Sequence, residues 1–238
     1  MRCNLLEIEG CYNMRDIGGY PTGTGKTTKH LRFVRSGSLY GLTERGKTHM
    51  LNLGLRCVVD LRSHREVSSH PDAVIEDSRF SWHHLPMLDH IYSGVAQDMP
   101  DSFPPSLEEM YLNLLEESKA SFRQLFELFA HPGHQSYIFH CTAGKDRTGI
   151  VAALLLSLAG VDEQTIIEDY THSEKLLSHF IAKVDLGGLP SYVLTSHAQT
   201  MQALLCHLKT QYAGGQGYLD QIGVTPAQQA AILKKLLD

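Results

Sequence analysis

Residues 140–149, HCTAGKDRTG, place a thiol, two cations and a carboxylate among small residues. Gly144 and Gly149 allow the backbone to curl and to turn its N–H groups inward. Such a nest, at the start of a helix, binds a dianionic phosphate. Arg147 adds a planar fork that can hold two phosphate oxygens. The sequence therefore predicts a phosphate-binding loop, with substrate contacts from Thr142, Ala143, Gly144, Lys145 and Thr148.

Cys141 predicts covalent chemistry on the bound anion. Helix N-termini and nearby cations favour a thiolate, which is the nucleophilic form of cysteine. The implied reaction transfers a phosphoryl group to sulfur and then hydrolyses the phosphocysteine, with Thr148 donating to the departing sulfur. Arg147 and the amides supply the positive field, so the reaction requires no metal. The alternative, a small buried cysteine, is disfavoured by the glycines and Arg147 around it.

The leaving oxygen needs a proton, and three aspartates are candidates for the general acid. Asp146 lies inside the loop, Asp89 follows a predicted strand in HLPMLDH, and Asp60 ends another strand in VVDLRS. The negative charge of a bound dianion disfavours ionisation of a neighbouring carboxyl group, so Asp146 could hold the proton. Alternatively, Asp146 only caps the following helix or anchors Arg147.

The surrounding segments predict the elements that position this loop. Strands are predicted over residues 31–37, 55–63 and 79–85 and over SYIFHC, which ends at Cys141. Helices are predicted over 43–53 and 106–129, over TGIVAALLLSLAG, and from Asp162 and Thr225. This alternation predicts an α/β fold with a central, largely parallel sheet flanked by helices. Cys141 then lies at a strand's carboxyl end, where ligands bind in such sheets.

The domain organisation is predicted to be simple. No linker is long enough to divide the chain, so residues 1–238 are expected to form a single domain. Residues 172–211 are helix-prone but interrupted by Gly187, Gly188 and Pro190. They predict a helical insertion after the active-site helix that could move as a lid. GGQG, residues 214–217, is predicted to be a flexible joint.

Composition excludes several classes of function. The 238 residues carry a net charge of −5, which argues against a nucleic-acid partner. The longest apolar run, 150–159, falls far short of the ~20 residues that span a bilayer, so no membrane insertion is expected. Five cysteines without a CxxC pair exclude a zinc ribbon and a disulfide framework. They favour a reducing, cytoplasmic location, although non-standard secretion would leave no mark.

No metal or cofactor is predicted. The fourteen histidines include His83 and His84, which face opposite sides of a strand, and the separated pair His131 and His134. No HExxH motif or matching carboxylate cluster accompanies them. GTGKTT, residues 23–28, lacks the first glycine of an ATP-binding loop and precedes a strand instead of a helix. The sequence does not define the oligomeric state.

HCTAGKDRTG resembles the HCxxGxxR[ST] signature of cysteine-dependent phosphatases, the protein tyrosine phosphatase superfamily. With NMRDIGGY and VVDLRS it is similar to the bacterial family-3 tyrosine phosphatases. The resemblance implies a protein tyrosine phosphatase-like fold and hydrolysis of phosphotyrosine, extending in some members to phosphoserine, phosphothreonine or phosphoinositides. It also favours Asp146 as the acid, because these enzymes carry this aspartate in GKDR and lack the usual acid loop.

The resemblance bears on substrates as well. Lys145 matches a lysine that helps inositol-lipid phosphatases to bind acidic headgroups, whereas Thr142 replaces the lysine that those enzymes often carry. The expected partner is therefore a phosphoprotein or a phospholipid headgroup. Arg15, Asp16 and Arg62 are expected to support the loop. A phosphate-binding module without turnover and a rhodanese-type sulfurtransferase are the alternatives, but the former usually lacks the cysteine or arginine and the latter lacks this loop pattern.

Overall fold

The computed structural model describes residues 4–87, 104–178 and 190–238. Their six strands form one sheet in the order β1-β2-β3-β6-β4-β5. The strands are β1 (Asn4–Leu5), β2 (Arg15–Asp16), β3 (Phe33–Ser36), β4 (Cys57–Asp60), β5 (Ser81–His84) and β6 (Tyr137–His140). β3, β6, β4 and β5 run parallel, and β1 and β2 add an antiparallel edge. The predicted α/β fold with a mostly parallel sheet is confirmed.

The register of the parallel strands aligns their carboxyl ends. Ser36 of β3 and Asp60 of β4 both lie opposite His140 of β6. Cys141 follows directly, so the thiol emerges where three strands end together. Side chains alternate between the two faces of the sheet, so Val58 and Ile138 enter one apolar cluster while Cys57 and Tyr137 enter a larger one on the other face.

The helices cover both faces of this sheet. They are α1 (Glu44–Asn52), α2 (His64–Ser69), α3 (Leu107–Glu117), α4 (Lys119–Ala130), α5 (Asp146–Leu158), α6 (Glu163–Leu176), α7 (Ala198–Tyr212), α8 (Gly215–Gln221) and α9 (Pro226–Leu236). The side chains of Thr43, Asp162 and Thr225 cap α1, α6 and α9 as the sequence predicts, and Ser106 caps α3. α5 is apolar all round and almost wholly buried, which fixes the start of this helix next to Cys141.

Two segments differ from the prediction. Residues 106–129 form two helices divided at Ser118, and the apolar period continues because both helices face the same core. The predicted flexible joint at residues 214–217 was wrong, since α8 begins there. A Cβ on Gly217 would lie 1.8 Å from the carbonyl oxygen of Tyr212, and one on Gly215 would lie 2.7 Å from the Cβ of Ser157. These glycines therefore permit close packing.

The predicted lid, residues 172–211, is described except for 179–189. Its described part contains the end of α6, a 3₁₀ turn at Ser191–Leu194 and α7. α7 packs on α3 and α6 and buries Met201 and Leu204 in the larger core. The lid motion and the single domain over 1–238 stay predictions. Among the described helices, none has the length and apolar character needed to cross a membrane.

Candidate active site

The loop over residues 141–147 connects β6 to α5 and forms the floor of the site. The Cys141 side chain at its start is almost fully buried, at 2% exposure. Gly144 adopts φ +70°, in the left-handed region. A Cβ on Gly144 would lie 2.3 Å from the carbonyl oxygen of Ser36 at the end of β3. Only glycine therefore fits the tight turn that closes the loop against the sheet.

The carbonyl groups of the loop are held on its outer side. Those of Thr142, Ala143 and Gly144 accept hydrogen bonds from neighbouring segments. The Thr142 carbonyl accepts from Tyr12 Oη at 2.7 Å and from Ser38 N at 2.9 Å. The Ala143 carbonyl accepts from Asn13 Nδ2, and the Gly144 carbonyl accepts from Arg35 Nη2, both at 2.9 Å. In a trans peptide the following N–H points the opposite way. The amides of residues 143–145 therefore face the inside of the loop, and the first turn of α5 adds its unpaired N–H groups.

Arg147 is oriented by Glu66, which lies on α2. Its Nη1 and Nη2 donate to the two carboxylate oxygens of Glu66 at 2.6 and 2.8 Å. This end-on pairing leaves the edge formed by Nε and Nη2 for an anion, and the only further Nη2 contact among described residues is Thr142 Oγ1 at 3.5 Å. The Thr142 hydroxyl donates to Glu66 as well. The guanidinium group of Arg147 is thus oriented before a ligand binds.

The surroundings of Glu66 strongly favour its ionised form. Burial opposes its ionisation, but the charge and hydrogen bonds of Arg147 outweigh burial and lower the pKa of Glu66 to about 2. The Ser63 N–H donates to Glu66 Oε2 at 2.7 Å, and the Ser63 hydroxyl caps α2 in return. This reciprocal capping box ties the arginine-binding carboxylate to the start of a helix.

Two hydroxyl groups accompany the loop: that of Tyr12 contacts it, and that of Thr148 follows it in the first turn of α5. Burial and the neighbouring Cys141 raise the pKa of Tyr12 to about 12, so its hydroxyl stays protonated and donates to the loop. The Thr148 hydroxyl is fully buried and makes no hydrogen bond to another described residue. A buried hydroxyl without a partner is costly. Its position at the start of α5 leaves it available to a group bound in the loop.

Asp146 is held at the side of the loop. Its Oδ1 accepts hydrogen bonds from Lys145 Nζ at 2.7 Å and from Tyr111 Oη at 2.9 Å. Tyr111 Oη also lies 2.9 Å from Tyr170 Oη. Burial raises the pKa of Tyr111 well above its usual value, so the phenol remains a donor. The Asp146 side chain is 23% exposed, so part of it remains accessible from the solvent.

Asp60, the second candidate acid, is placed differently. It is fully buried, and both of its oxygens accept from Arg62 at 2.7 to 3.1 Å. Asp72 Oδ1 also binds Arg62 at 2.9 Å, and Asp72 Oδ2 lies 2.8 Å from His140 Nε2. Burial disfavours a charged imidazole, but Asp72 and Asp60 outweigh burial and raise the pKa of His140 to about 9. The negative charges of the two aspartates are thus balanced by the positive charges of Arg62 and His140.

A second buried network supports the loop from β2 and β3. Arg15 Nε donates to Asp169 Oδ1 at 3.0 Å, and Arg35 Nη1 donates to Asp169 Oδ2 at 2.5 Å. Burial opposes ionisation of Asp169, but the two arginines lower its pKa to about 2. Arg15 also binds Asn13, which in turn donates to the loop. Asp16 accepts from the Gly18 N–H and from His30, next to this network.

The structure brings most of the predicted site residues together. Residues 141–148 form the loop and the first turn of α5, whereas Asp60 is buried and paired with Arg62, and Asp89 lies outside the described residues. Sequence reasoning missed Glu66 and Tyr111. Glu66 had a detectable signal, because Ser63 and Glu66 have the spacing of a capping box. No sequence signal pointed to Tyr111, because its place in the apolar pattern of a helix indicates only a core residue.

The fold and the loop together define a class of protein. A cysteine at a strand end, an arginine six positions later and an inward-facing amide nest are the features of cysteine-dependent phosphatases. The family described as the tyrosine phosphatase family matches residues 6–238 of the chain. The chain belongs to this family, which confirms the resemblance, and it is a protein-tyrosine phosphatase, a phosphoric monoester hydrolase.

Individual relatives are more distant. A tyrosine-protein phosphatase of Nostoc commune is 34% identical over 210 residues, which cover 81% of this chain and 70% of the relative. The triple specificity protein phosphatase PtpB of Mycobacterium tuberculosis is 27% identical over 212 residues, which cover 76% of this chain and 73% of PtpB. The solved structure of a cysteine-to-serine variant of P. aeruginosa TpbA in complex with phosphotyrosine is 14% identical to this chain and has a TM-score of 0.38. The match covers 84% of this chain and 91% of TpbA.

Proposed function

We propose that the enzyme hydrolyses phosphotyrosine in two steps through a phosphocysteine on Cys141, without a metal. One observation carries the proposal: the buried Cys141 thiol begins a loop in which the carbonyls of residues 142–144 are bound on the outer side and Arg147 is already held by Glu66. Such a preorganised set of donors stabilises the charge that develops on a transferring phosphoryl group.

In the first step the Cys141 sulfur attacks phosphorus, the S–P bond forms and the P–O bond to the tyrosyl oxygen breaks. The three remaining phosphoryl oxygens accept hydrogen bonds from the loop amides and from the open edge of Arg147. The departing phenolate takes a proton from a general acid. Because the donors are fixed before binding, little free energy is lost to reorganisation during transfer.

We assign the acid role to Asp146. Its Oδ1 is engaged by Lys145 and Tyr111, so Oδ2 would carry the proton towards the leaving oxygen. The bound dianion favours the protonated carboxyl group. Asp60 is the weaker candidate because it is fully buried and Arg62 already donates hydrogen bonds to both of its oxygens.

In the second step water attacks phosphorus, the S–P bond breaks and inorganic phosphate leaves. Asp146, now ionised, accepts the proton of the water. The Thr148 hydroxyl, which has no hydrogen-bond partner in the described part of the chain, is suited to donate to the departing sulfur. A free thiol with this role needs reducing surroundings, which is consistent with the predicted cytoplasmic location.

Phosphoinositides, phosphoserine and phosphothreonine form the second group of candidate substrates. PtpB, a relative of this chain, is named for triple specificity. Lys145 could meet a second acidic group, but its side chain is 3% exposed and its Nζ donates to Asp146 and to the Thr195 carbonyl. Those bonds would have to break first, so the geometry favours phosphotyrosine as the main substrate.

Phosphate release from a phosphotyrosine peptide in EDTA tests the nucleophile and the absence of a metal. Wild type should turn over, Cys141→Ser should not, and the matched control Cys206→Ser, at an exposed position on α7, should match wild type. Turnover by Cys141→Ser, or loss of wild-type activity in EDTA, would contradict the mechanism. Phosphoinositide vesicles and phosphoserine peptides in the same assay rank the other substrates.

Substrates with good and poor leaving groups identify the acid. Asp146→Asn should lose far more activity on phenyl phosphate than on a nitrophenyl ester, because only the poor leaving group depends on protonation, which is typically worth about 10²–10⁴-fold. Asp89→Asn should affect both esters equally. Equal losses in Asp146→Asn would remove the acid assignment.

A further inference from the structure

We propose that Cys57, His83 and His134 form a binding site for a thiophilic divalent cation of the Zn²⁺ class, at the opposite end of the sheet from the active site. One candidate ligand atom from each residue lies within 4.8 Å of the other two. A thiolate and two imidazoles are ligands that Zn²⁺ prefers, with a fourth position left for water. The three residues are far apart in the sequence, and the histidines do not form a spacing motif.

Sheet topology brings the three side chains together. Cys57 begins β4, and β5 pairs with β4 so that Cys57 faces Ser81 and Val59 faces His83. Cys57 and His83 therefore point to the same face of the sheet. His134 lies in the turn before β6, and its ring centroid is 5.6 Å from that of His83.

The distances fit a tetrahedral ion after a small closure. Bond lengths of about 2.3 Å to sulfur and about 2.0 Å to nitrogen place tetrahedral ligands roughly 3.5 Å apart. The ligand atoms therefore need to approach by about 1 Å, within reach of imidazole rotation. His83 and His134 are only half-buried, which gives the ion an entry path, while Cys57 is 1% exposed. Ser81 Oγ, 2.9 Å from His83 Nε2, can orient that ring.

The charges near the site are mixed but compatible with a cation. Burial, with repulsion from neighbouring histidines, lowers the pKa of His83 and of His134, which is the direction that favours neutral imidazole. Burial raises the pKa of Cys57 to about 12, and the nearby Lys235 works against that rise. Lys235 opposes a cation, but its ammonium is bound by two carbonyls and Tyr137 Oη.

The other cluster of potential ligands does not compete for this role. Asp60, Asp72 and His140 also converge, but the guanidinium of Arg62 already binds both carboxylates between them. The proposed site is separate from the catalytic thiol, because Cys57 pairs with Tyr137 and four residues of strand, roughly 13 Å, separate Tyr137 from Cys141. The cation would join β5 to β4 and the β6 turn and would take no part in the reaction.

Cobalt titration of the Cys141→Ser protein tests the proposal, because that background removes the active-site thiol as a competing ligand. One equivalent of Co²⁺ should bind with tetrahedral visible bands and a thiolate-to-cobalt charge-transfer band. Cys57→Ser should abolish the charge-transfer band, and His83→Gln or His134→Gln should weaken binding by about tenfold or more. Cys206→Ser and His131→Gln should change neither signal.

A second readout protects the test against misfolding of the buried Cys57 variant. Zn²⁺ should raise the Tm of the Cys141→Ser protein and should raise it much less when His134→Gln is added at its half-buried position. The proposal is overturned if Co²⁺ gives no charge-transfer band, if that band survives in a folded Cys57→Ser protein, or if His83→Gln and His134→Gln both bind normally. None of these outcomes affects the EDTA assay of catalysis.

Discussion

Replacing Glu66 by glutamine tests whether a preoriented Arg147 accounts for phosphate binding. The amide oxygen of glutamine can still accept from Arg147 Nη1 and from the Ser63 N–H, as Glu66 Oε2 does now. The NH₂ group would take the place of Oε1, where it meets the Nη2 donor of Arg147. The Thr142 hydroxyl, which now donates to Oε1, can rotate and accept from that NH₂ group. One charge-assisted hydrogen bond, from Arg147 Nη2, is then lost, while the capping box of α2 survives because glutamine serves it equally well.

The magnitude follows from that single bond. A hydrogen bond to a charged group contributes about 1.5–3 kcal/mol, and each 1.4 kcal/mol is a factor of about ten. We therefore expect kcat/KM to fall by roughly 10- to 150-fold. Arg147 touches only the phosphoryl group, so the loss should be the same for a phosphotyrosine peptide and for a nitrophenyl ester. The inhibition constant of inorganic phosphate should rise in parallel.

Steady-state kinetics and phosphate inhibition measure this effect. Glu76→Gln, the same change at an exposed position, is the matched control and should leave both constants unchanged. Circular dichroism and Tm should show that the Glu66→Gln protein remains folded. If Glu66→Gln binds phosphate as wild type does, or loses less than about twofold in kcat/KM, the idea that Glu66 orients the fork is refuted.

Three further changes probe the loop and its support. Tyr111→Phe removes a neutral hydrogen bond to Asp146, worth about 1 kcal/mol, so kcat on phenyl phosphate should fall about fivefold while phosphate inhibition is unchanged. Gly144→Ala should lower kcat/KM by about tenfold or more, because its φ of +70° alone costs about 1–2 kcal/mol and the Cβ meets Ser36; kinetics on the folded protein will show this. The pKa of His140 is raised to about 9 in the folded protein, against about 6.5 in the unfolded chain. The protonated imidazole therefore stabilises the folded state fully below pH ~6.5, and this contribution is lost as the pH rises through ~9. Urea unfolding across that window should show a loss of up to about 3 kcal/mol.

Local patterns predicted the elements and the position of the loop. SYIFHC, the glycines and the apolar helix are contiguous in sequence, so they define the strand, the nest and α5 without information from elsewhere. Thr43 and Asp162 similarly identify their helix starts through side-chain caps. The strand order could not be predicted this way, because β6 is inserted between β3 and β4 by contacts distant in sequence.

The residues that sequence reasoning missed are those joined by contacts between segments that are distant in sequence. Glu66 reaches Arg147 only because α2 follows β4, the neighbour of β6. Tyr111 reaches Asp146 only because α3 packs on α5. Cys57, His83 and His134 converge for the same reason, at the opposite end of the same strands. Each side chain is ordinary in its own segment, so its role depends on a neighbour that the local pattern cannot name.

The charge balance of the loop explains why an aspartate can occupy an anion site. Both cations of the loop are paired with carboxylates, Arg147 with Glu66 and Lys145 with Asp146. An incoming phosphate is therefore drawn mainly by the amides, the start of α5 and the open edge of Arg147. Protonation of Asp146 on phosphate binding would remove the repulsion and would load the acid in the same event. In the proposed mechanism, the negative charge inside the loop would then couple substrate binding to proton delivery.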